Sequence, residues 1–378
     1  MSVALFSFFS GVGMLDLAFE RNQYDIVLVN EYDKRFLEAY QYARLRLGVK
    51  PPIYGYCEKS ADYFSRNRGK KKLKKLMTLE REKKNLVGFI GGPPCPDFSV
   101  AGKNRGSEGE HGKLTKTYFD IICRNRPDFF VFENVKGLVK TEKHKRFYNE
   151  MQKKLFANEY IISHKLLNAL SYGVPQFRER EIMIGISKVL FEKLKIEKKP
   201  DGTFEFPWNE KAIGKLEDIL AQPWPTSEPF VENGEKKRPL IKYEQLTVNY
   251  WFDKNNVYNH PNAQDCFKVK AGLKKMETIE EGDISRKSFK RLHRWKYSPT
   301  ACYGNNEVHL HPYKVRRLSV AEAMAIQSLP QEFVLPEKMT LSAKFKTVGN
   351  GVPYLMAEAV AVTLYRYLCA GGGREQND

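Results

Sequence analysis

The first half of the chain alternates short apolar runs with stretches of helical periodicity, and this alternation restricts the fold more than any other feature. Val3–Phe8 reads as a strand and Met14–Glu20 as the helix after it. Asp25–Asn30 (DIVLVN) is a second strand, followed by a helix near Lys34–Leu47. Leu86–Ile90 (LVGFI) is a third strand, Thr117–Arg124 is helical, Phe129–Phe132 (FFVF) is a fourth strand, and Glu181–Ile186 (EIMIGI) is another. Strand–helix alternation of this kind predicts a parallel sheet wrapped by helices, an α/β fold.

After about residue 187 the alternation stops. Residues 188–313 hold many aromatics and the prolines 200, 207, 223, 225, 229, 239 and 261. This predicts a second, smaller domain of irregular, β-rich structure. Leu318–Gln327 reads as a helix, and Pro353–Leu368 as a long amphipathic helix entered through Gly349-Asn350-Gly351-Val352-Pro353. Residues 371–378 read as a disordered tail. The resulting division is 1–187 plus 338–370 for the α/β domain and 188–337 for the second. Between strands, residues 66–84 (RNRGKKKLKKLMTLEREKK) are strongly basic, with Leu73, Leu76 and Leu79 at helical spacing. The plain reading of that stretch is a solvated surface helix.

The formal net charge of +18, from 63 Lys and Arg against 45 Asp and Glu, is more than a solvated surface requires. It suits a polyanionic partner, of which nucleic acid is the commonest. The six cysteines (57, 95, 123, 266, 302 and 369) include no C-x-x-C pair, which argues against a zinc site and for a reducing, intracellular setting. The apolar start, Val3 to Phe19, lacks a basic leader and carries Asp16. It therefore reads as a core strand and turn, not as a signal peptide. No apolar run is long enough to span a membrane.

In an open α/β sheet, ligands bind beyond the carboxyl ends of the strands. Four features fall at such ends: Phe9–Gly13, Glu31, Pro94-Cys95 and Glu133–Val135. Glycines at 11 and 13 let a ligand approach the backbone. Position 16 is Asp where the dinucleotide fingerprint has its third glycine, so a pyrophosphate cradle is not indicated. Glu31 stands where an acidic residue takes ribose hydroxyls. Together they suggest an adenosine-type ligand without a pyrophosphate, such as S-adenosylmethionine. A tight turn without a ligand is the alternative.

Cys95 lies in Gly91-Gly92-Pro93-Pro94-Cys95-Pro96, a turn too rich in proline for a helix or a central strand. A buried, inert thiol is the usual fate of a cysteine. A rigid, pre-aimed turn equally suits a nucleophile. Glu133 directly follows FFVF, so partial burial would raise its pKa and make it a proton donor. In Gln176-Phe177-Arg178-Glu179-Arg180, extended alternation puts both arginines on one face. There they are either a solvated cluster or a pair able to hold a base carbonyl and a phosphate.

Taken in order, these blocks resemble the C5-cytosine DNA methyltransferases over nearly the whole chain. The blocks are FxGxG as Phe9–Gly13, an acidic block as Asn30–Asp33, PPC as Pro93–Cys95, ENV as Glu133–Val135, QxRxR as Gln176–Arg180, the helix block Arg317–Pro330, and GNxVP as Gly349–Pro353. The resemblance implies a Rossmann-like methyltransferase domain that uses S-adenosylmethionine, with residues 188–337 as a target recognition domain reading double-stranded DNA. It implies that Cys95 adds to C6 of a flipped cytosine, Glu133 holds N3 and the amino group, Arg180 binds the base carbonyl, and Arg178 supports the site. Phe9 would stack on the adenine and Glu31 would hold the ribose. Gly11, Gly13, Tyr32, Pro94, Asn350 and Val352 would complete the cofactor pocket. Ser99, Lys103 and Arg105 would lie on a mobile loop, running to about Gly112, that closes over the DNA. No metal is implied.

The compact length resembles a bacterial, cytoplasmic modification enzyme, monomeric and paired in function with a cognate restriction endonuclease. The chain departs from the family pattern at Pro96, where Gln is usual, and at Ala321 and Ala325, where arginines are common. It also lacks the usual acidic residue near Gly55-Tyr56-Cys57. A tRNA-methylating relative is a second reading, although Cys266-Phe267-Lys268 resembles that branch's Cys-Phe-Thr only loosely. A non-catalytic DNA-binding relative is a third. Adenine or cytosine-N4 methylation is not indicated, because no Asp/Asn-Pro-Pro-aromatic block occurs.

Overall fold

The structure, a computed structural model, describes residues 2–94, 110–268, 272–301, 303 and 307–369. Seven strands form one sheet: β1 (Val3–Phe8), β2 (Tyr24–Asn30), β3 (Tyr56–Cys57), β4 (Leu86–Gly91), β5 (Phe129–Val135), β6 (Tyr160–Asn168) and β7 (Glu179–Ser187). Their order is β3-β2-β1-β4-β5-β7-β6. The first five are mutually parallel, as expected from the alternation. The expectation of a wholly parallel sheet is corrected at β7, which runs antiparallel to both β5 and β6. The link between β6 and β7, residues 169–178, carries only a short helical turn. A parallel return needs a longer crossover, so the chain folds back antiparallel and inserts β7 between β5 and β6.

Helices cover both faces of the sheet. They are α1 (Met14–Glu20), α2 (Lys34–Arg46), α3 (Asn67–Glu82), α4 (Glu110–Asn125), the short α5 (Gly137–Lys140) and α6 (Glu142–Ala157). Val3 and Leu5 of β1 enter one core, with α1 and α2. Ala4, Phe6 and Phe8 enter the other, with α3, α4 and α6. Burial on both sides explains why these strands are continuously apolar.

Residues 188–313 were expected to be β-rich. Among the described residues they contain no strand. They hold α7 (Lys188–Lys193), α8 (Leu216–Leu220), α9 (Val248–Lys254), α10 (Leu273–Glu277) and isolated bridges. Buried arginines satisfy carbonyls that a strand ladder would otherwise satisfy. Arg291 donates to the carbonyls of Met276, Ile279, His311 and Lys314. Arg294 pairs with buried Glu281 and donates to the Gly234 carbonyl. α11 (Val320–Ile326), α12 (Leu341–Asn350) and α13 (Tyr354–Cys369) complete the chain. α13 packs on α1, which brings the carboxyl-terminal segment back to the start of the sheet.

Candidate active site

The glycine loop after β1 is built by a buried polar network beneath it. Phe9 has φ 55°, and Gly11 and Gly13 have φ 57° and 80°. A left-handed Phe is uncommon and costs on the order of 1 kcal/mol. A Cβ at Gly13 would run into the Tyr40 ring and the Arg44 guanidinium. Arg44 stacks over Tyr40, donates to the Gly13 carbonyl at 2.6 Å, and pairs with Glu20 at 2.7 Å. Asp16 stands beside them, accepting from Ser7 Oγ at 2.9 Å and Tyr40 Oη at 3.1 Å. The residue that breaks the dinucleotide fingerprint is thus a buried acceptor that ties α1 to β1 and α2. None of Asp16, Tyr40 and Arg44 carries a motif, and sequence reasoning assigned them no role.

Burial pushes the Asp16 carboxyl up from 3.8 to about 7, against the favourable charge of Arg44. Between those two values the folded protein keeps a proton that the unfolded chain has lost. The stability tied to that proton is complete below about pH 4 and lost as pH rises through 7. Asp16→Asn is therefore expected to flatten the pH dependence of stability. The wild-type melting temperature should fall by roughly 2–4 °C more than the variant's between mildly acidic and mildly alkaline buffer. Parallel melting curves for the two proteins would remove Asp16 as the source.

Glu31, after β2, accepts from Gly11 N–H and Asp33 N–H, both at 2.8 Å. Burial raises its pKa and these two bonds lower it, with burial the larger effect. Each oxygen keeps a lone pair for a further donor. Asn30 ties β2 to the end of β3 and the chain just beyond it, through the carbonyls of Cys57 and Lys59. Tyr32 is exposed. Phe9 is half-buried, with Tyr118 edge-on to its ring at 6.0 Å. The carboxyl-terminal segment closes this side: Gly351 lies against Met14, leaving Asn350 exposed and Val352 buried next to the glycine loop. Ser10 Oγ is buried without a hydrogen-bond partner among the described residues. An orphaned hydroxyl beside a half-satisfied carboxylate and a partly open aromatic face fits a polar adenosine-type ligand.

Glu133 was expected just past the end of its strand. It lies inside β5, opposite Ile182 of β7, while Arg180 lies opposite Val135. Glu133 and Arg180 are therefore diagonal neighbours on one face of an antiparallel pair. Arg180 Nε stands 2.8 Å from Glu133 Oε1, and both side chains are buried. Burial raises the Glu133 pKa, and the charges of Arg180 and Arg178 partly offset that. Gly92 makes room for the carboxyl, because a Cβ there would stand 2.5 Å from Glu133 Oε2. The turn that leads to Cys95 thus passes directly over Glu133. Pro94 is exposed at that edge. Sequence reasoning did not single out Gly92, although it is part of the turn that carries Cys95.

Arg178, expected to share a face with Arg180, also acts on Glu133 through its charge. Its guanidinium donates to the carbonyls of Gly349 at 2.7 Å, Gly351 at 3.0 Å and Ala301 at 3.1 Å. It braces the carboxyl-terminal loop against the strand that carries Arg180. Asn134, on the opposite side of β5 from Glu133, holds Val135 N–H and leaves Nδ2 buried without a partner among the described residues.

Cys95, Ser99, Lys103 and Arg105 lie outside the described residues. The loop expected to run to Gly112 ends earlier, since α4 has already begun at Glu110. Cys57, Cys123, Cys266 and Cys369 are free thiols. Among the described residues no group of His, Cys, Asp and Glu could hold a metal ion, and no helix is long and apolar enough to cross a membrane.

The fold is shared with a solved structure. A crystal structure of a DNA modification methyltransferase encoded within an E. coli prophage matches over 97% of this chain and 99% of its own, with TM-score 0.63 and 21% identity. The family follows from the sequence. The profile of the C-5 cytosine-specific DNA methylases matches residues 3–366, and the chain belongs to that family. It is 52% identical over 365 residues to the Type II methyltransferase M.NmeDI of Neisseria meningitidis serogroup C, covering 96% of this chain and 84% of that one. It is 30% identical over 371 residues to the Type II methyltransferase M.MthTI of Methanothermobacter thermautotrophicus, covering 96% of both.

Proposed function

We propose that this DNA C5-cytosine methyltransferase works on a cytosine flipped from duplex DNA, through a covalent bond between Cys95 Sγ and C6 of the base. The observation that carries the reading is the buried Glu133–Arg180 pair, packed directly under the Gly92–Pro94 turn. Cytosine C5 is a poor nucleophile. Addition of the Cys95 thiolate to C6 breaks the 5,6 double bond and drives electron density to C5 and N3. Glu133, its pKa raised by burial, supplies a proton or hydrogen bond to N3 as that charge develops. Arg180 keeps the carboxyl aimed and can receive the base carbonyl on a remaining N–H. When bound, S-adenosylmethionine would supply an electrophilic methyl group to C5, its sulfonium sulfur keeping the S–C bonding pair and departing as a neutral thioether. Return of the N3 proton to Glu133 and loss of the C5 proton to water then let the Cys95–C6 bond break, releasing the thiolate and restoring the aromatic ring.

The residues around the glycine loop suit the cofactor. Glu31 would accept the ribose hydroxyls, Phe9 would offer its ring to the adenine, and Ser10 would find its partner in the ligand. Tyr32, Asn350 and Val352 flank the same space. Residues 188–337 would read the DNA sequence. A function as the modification partner of a restriction endonuclease fits the Type II relatives.

The test is transfer of a labelled methyl group to duplex DNA and to tRNA, together with trapping on DNA that carries 5-fluorocytosine. Fluorine cannot leave C5 as a proton does, so a stable protein–DNA adduct is expected on duplex containing the cognate site. Transfer to tRNA alone would overturn the substrate. Turnover on DNA without any trapped adduct would overturn the covalent route.

A further inference from the structure

The basic stretch at 66–84 folds as α3, and its charge is unevenly placed. Its buried stripe, Gly69, Leu73, Met77 and Glu80, packs into the core beneath β1 and β4. The carboxyl end is neutralised: Arg81 pairs with Asp128, and Lys83, just past the helix, with Glu80. The amino-terminal half is not. Arg68, Lys71, Lys72 and Lys75 are exposed, and none is in an ion pair among the described residues. At 100° per residue these four side chains fall on one stripe opposite the core.

This arrangement is unfavourable for the helix itself. The first turn contains no acidic residue, and the N-cap, Arg66, makes no side-chain cap. Cations near a helix amino end oppose the macrodipole, and like charges four residues apart repel. A merely solvated face would gain from interspersed carboxylates, which this half lacks.

The free charges also sit at a particular place. α3 follows β3 and leads into β4, so its amino end lies toward the carboxyl edge of the sheet, the edge that carries Gly11, Glu31 and the Gly92–Pro94 turn. α4, which packs beside α3, begins toward the same edge, and its Lys113 and Lys116 are exposed and unpaired among the described residues. From Arg68 to Lys75 the helix rises about 10 Å. That is the axial length over which one DNA strand presents about three phosphates.

We propose that this stripe is a second DNA-contact surface, which holds the phosphate backbone of the duplex beside the methylated site. It rests on the DNA-methylating reading and adds to it a contact that carries no sequence information but lengthens the footprint. Its role is to increase affinity for sites embedded in long DNA.

The experiment compares two triple variants of the full chain, each of which removes three positive charges. One is Arg68→Gln with Lys71→Gln and Lys75→Gln. The other is Lys84→Gln with Lys188→Gln and Lys193→Gln, exposed positions at the amino ends of the parallel strands. Gln is a good helix former, so α3 is retained. Affinity is measured against salt on two duplexes that share one methylatable site, one with long flanks and one trimmed to the site. The α3 variant is expected to lower the slope of log affinity against log salt by roughly 2–3 on the long duplex, at about 0.9 per lost phosphate contact, and to leave it unchanged on the trimmed one. The control variant should leave both slopes near wild type. Equal slopes for all three proteins on the long duplex, or equal losses in both variants, would overturn the proposal. Absence of methyl transfer by the wild-type protein would instead count against the catalytic reading, because the slopes report binding alone.

Discussion

Cys95→Ser is expected to abolish methyl transfer, with a loss on the order of 10⁴-fold or more, while leaving S-adenosylmethionine affinity nearly unchanged. A hydroxyl has almost no anionic fraction near neutral pH and is a weak nucleophile toward C6, whereas a thiol reaches its anion readily beside cationic groups. Arg180 lies opposite Val135 at the start of β7, with Arg178 just before it, and on the proposed reading these two would supply such groups to the thiol. The glycine loop, Glu31 and the carboxyl-terminal segment are built from other strands and helices, so cofactor affinity has no reason to change. Single-turnover transfer and calorimetric titration of the cofactor measure the two quantities separately. A serine variant that methylates at a rate near wild type would end the assignment of Cys95 as nucleophile.

Glu133→Gln should be nearly as damaging to the chemistry and more damaging to the fold. Glutamine keeps the shape of the side chain and can still hydrogen-bond, but it cannot give N3 a proton. General acid assistance is worth about 10²–10⁴-fold, and a loss in that range is expected in the rate of the chemical step. Arg180 would then be buried without its counter-charge, since its Nε lies 2.8 Å from the lost carboxylate. Breaking such a pair by removing one partner costs roughly 3–5 kcal/mol. The two effects separate cleanly: transfer rate is read at saturating DNA, and stability by denaturant unfolding. A variant that is destabilised but chemically unimpaired would make Glu133 a packing partner of Arg180 and nothing more.

Both predictions depend on contacts that the chain could announce only in part. β1, α1 and α2 lie where the alternation placed them, because an apolar run buried on both faces and a helical stripe are patterns within one segment. Phe9–Gly13, Glu31, Pro94 and Glu133–Val135 lie toward one edge of the sheet, as parallel strands require, while Cys95 lies outside the described residues. The same local logic misjudged Glu133. FFVF was read as a complete strand, yet pairing with β7 carries β5 on through Val135. It also misjudged residues 188–313, where buried arginines satisfy loop carbonyls in place of strand ladders.

What the sequence determined by itself was the family, the strand–helix order of the first half and the candidate residues for the chemistry. These depend on local periodicity and on ordered motifs. The tertiary structure alone decided which groups meet. It set Glu133 diagonal to Arg180, laid Arg178 against the carbonyls of Gly349 and Gly351, and buried Asp16 between Ser7 and Tyr40. It also left the charges of α3 free at one end and paired at the other. The first two depend on the insertion of β7 between β5 and β6, and the others on how α1, α2 and α3 pack on the sheet. Strand order brings together residues far apart along the chain, and no local pattern records such a pairing.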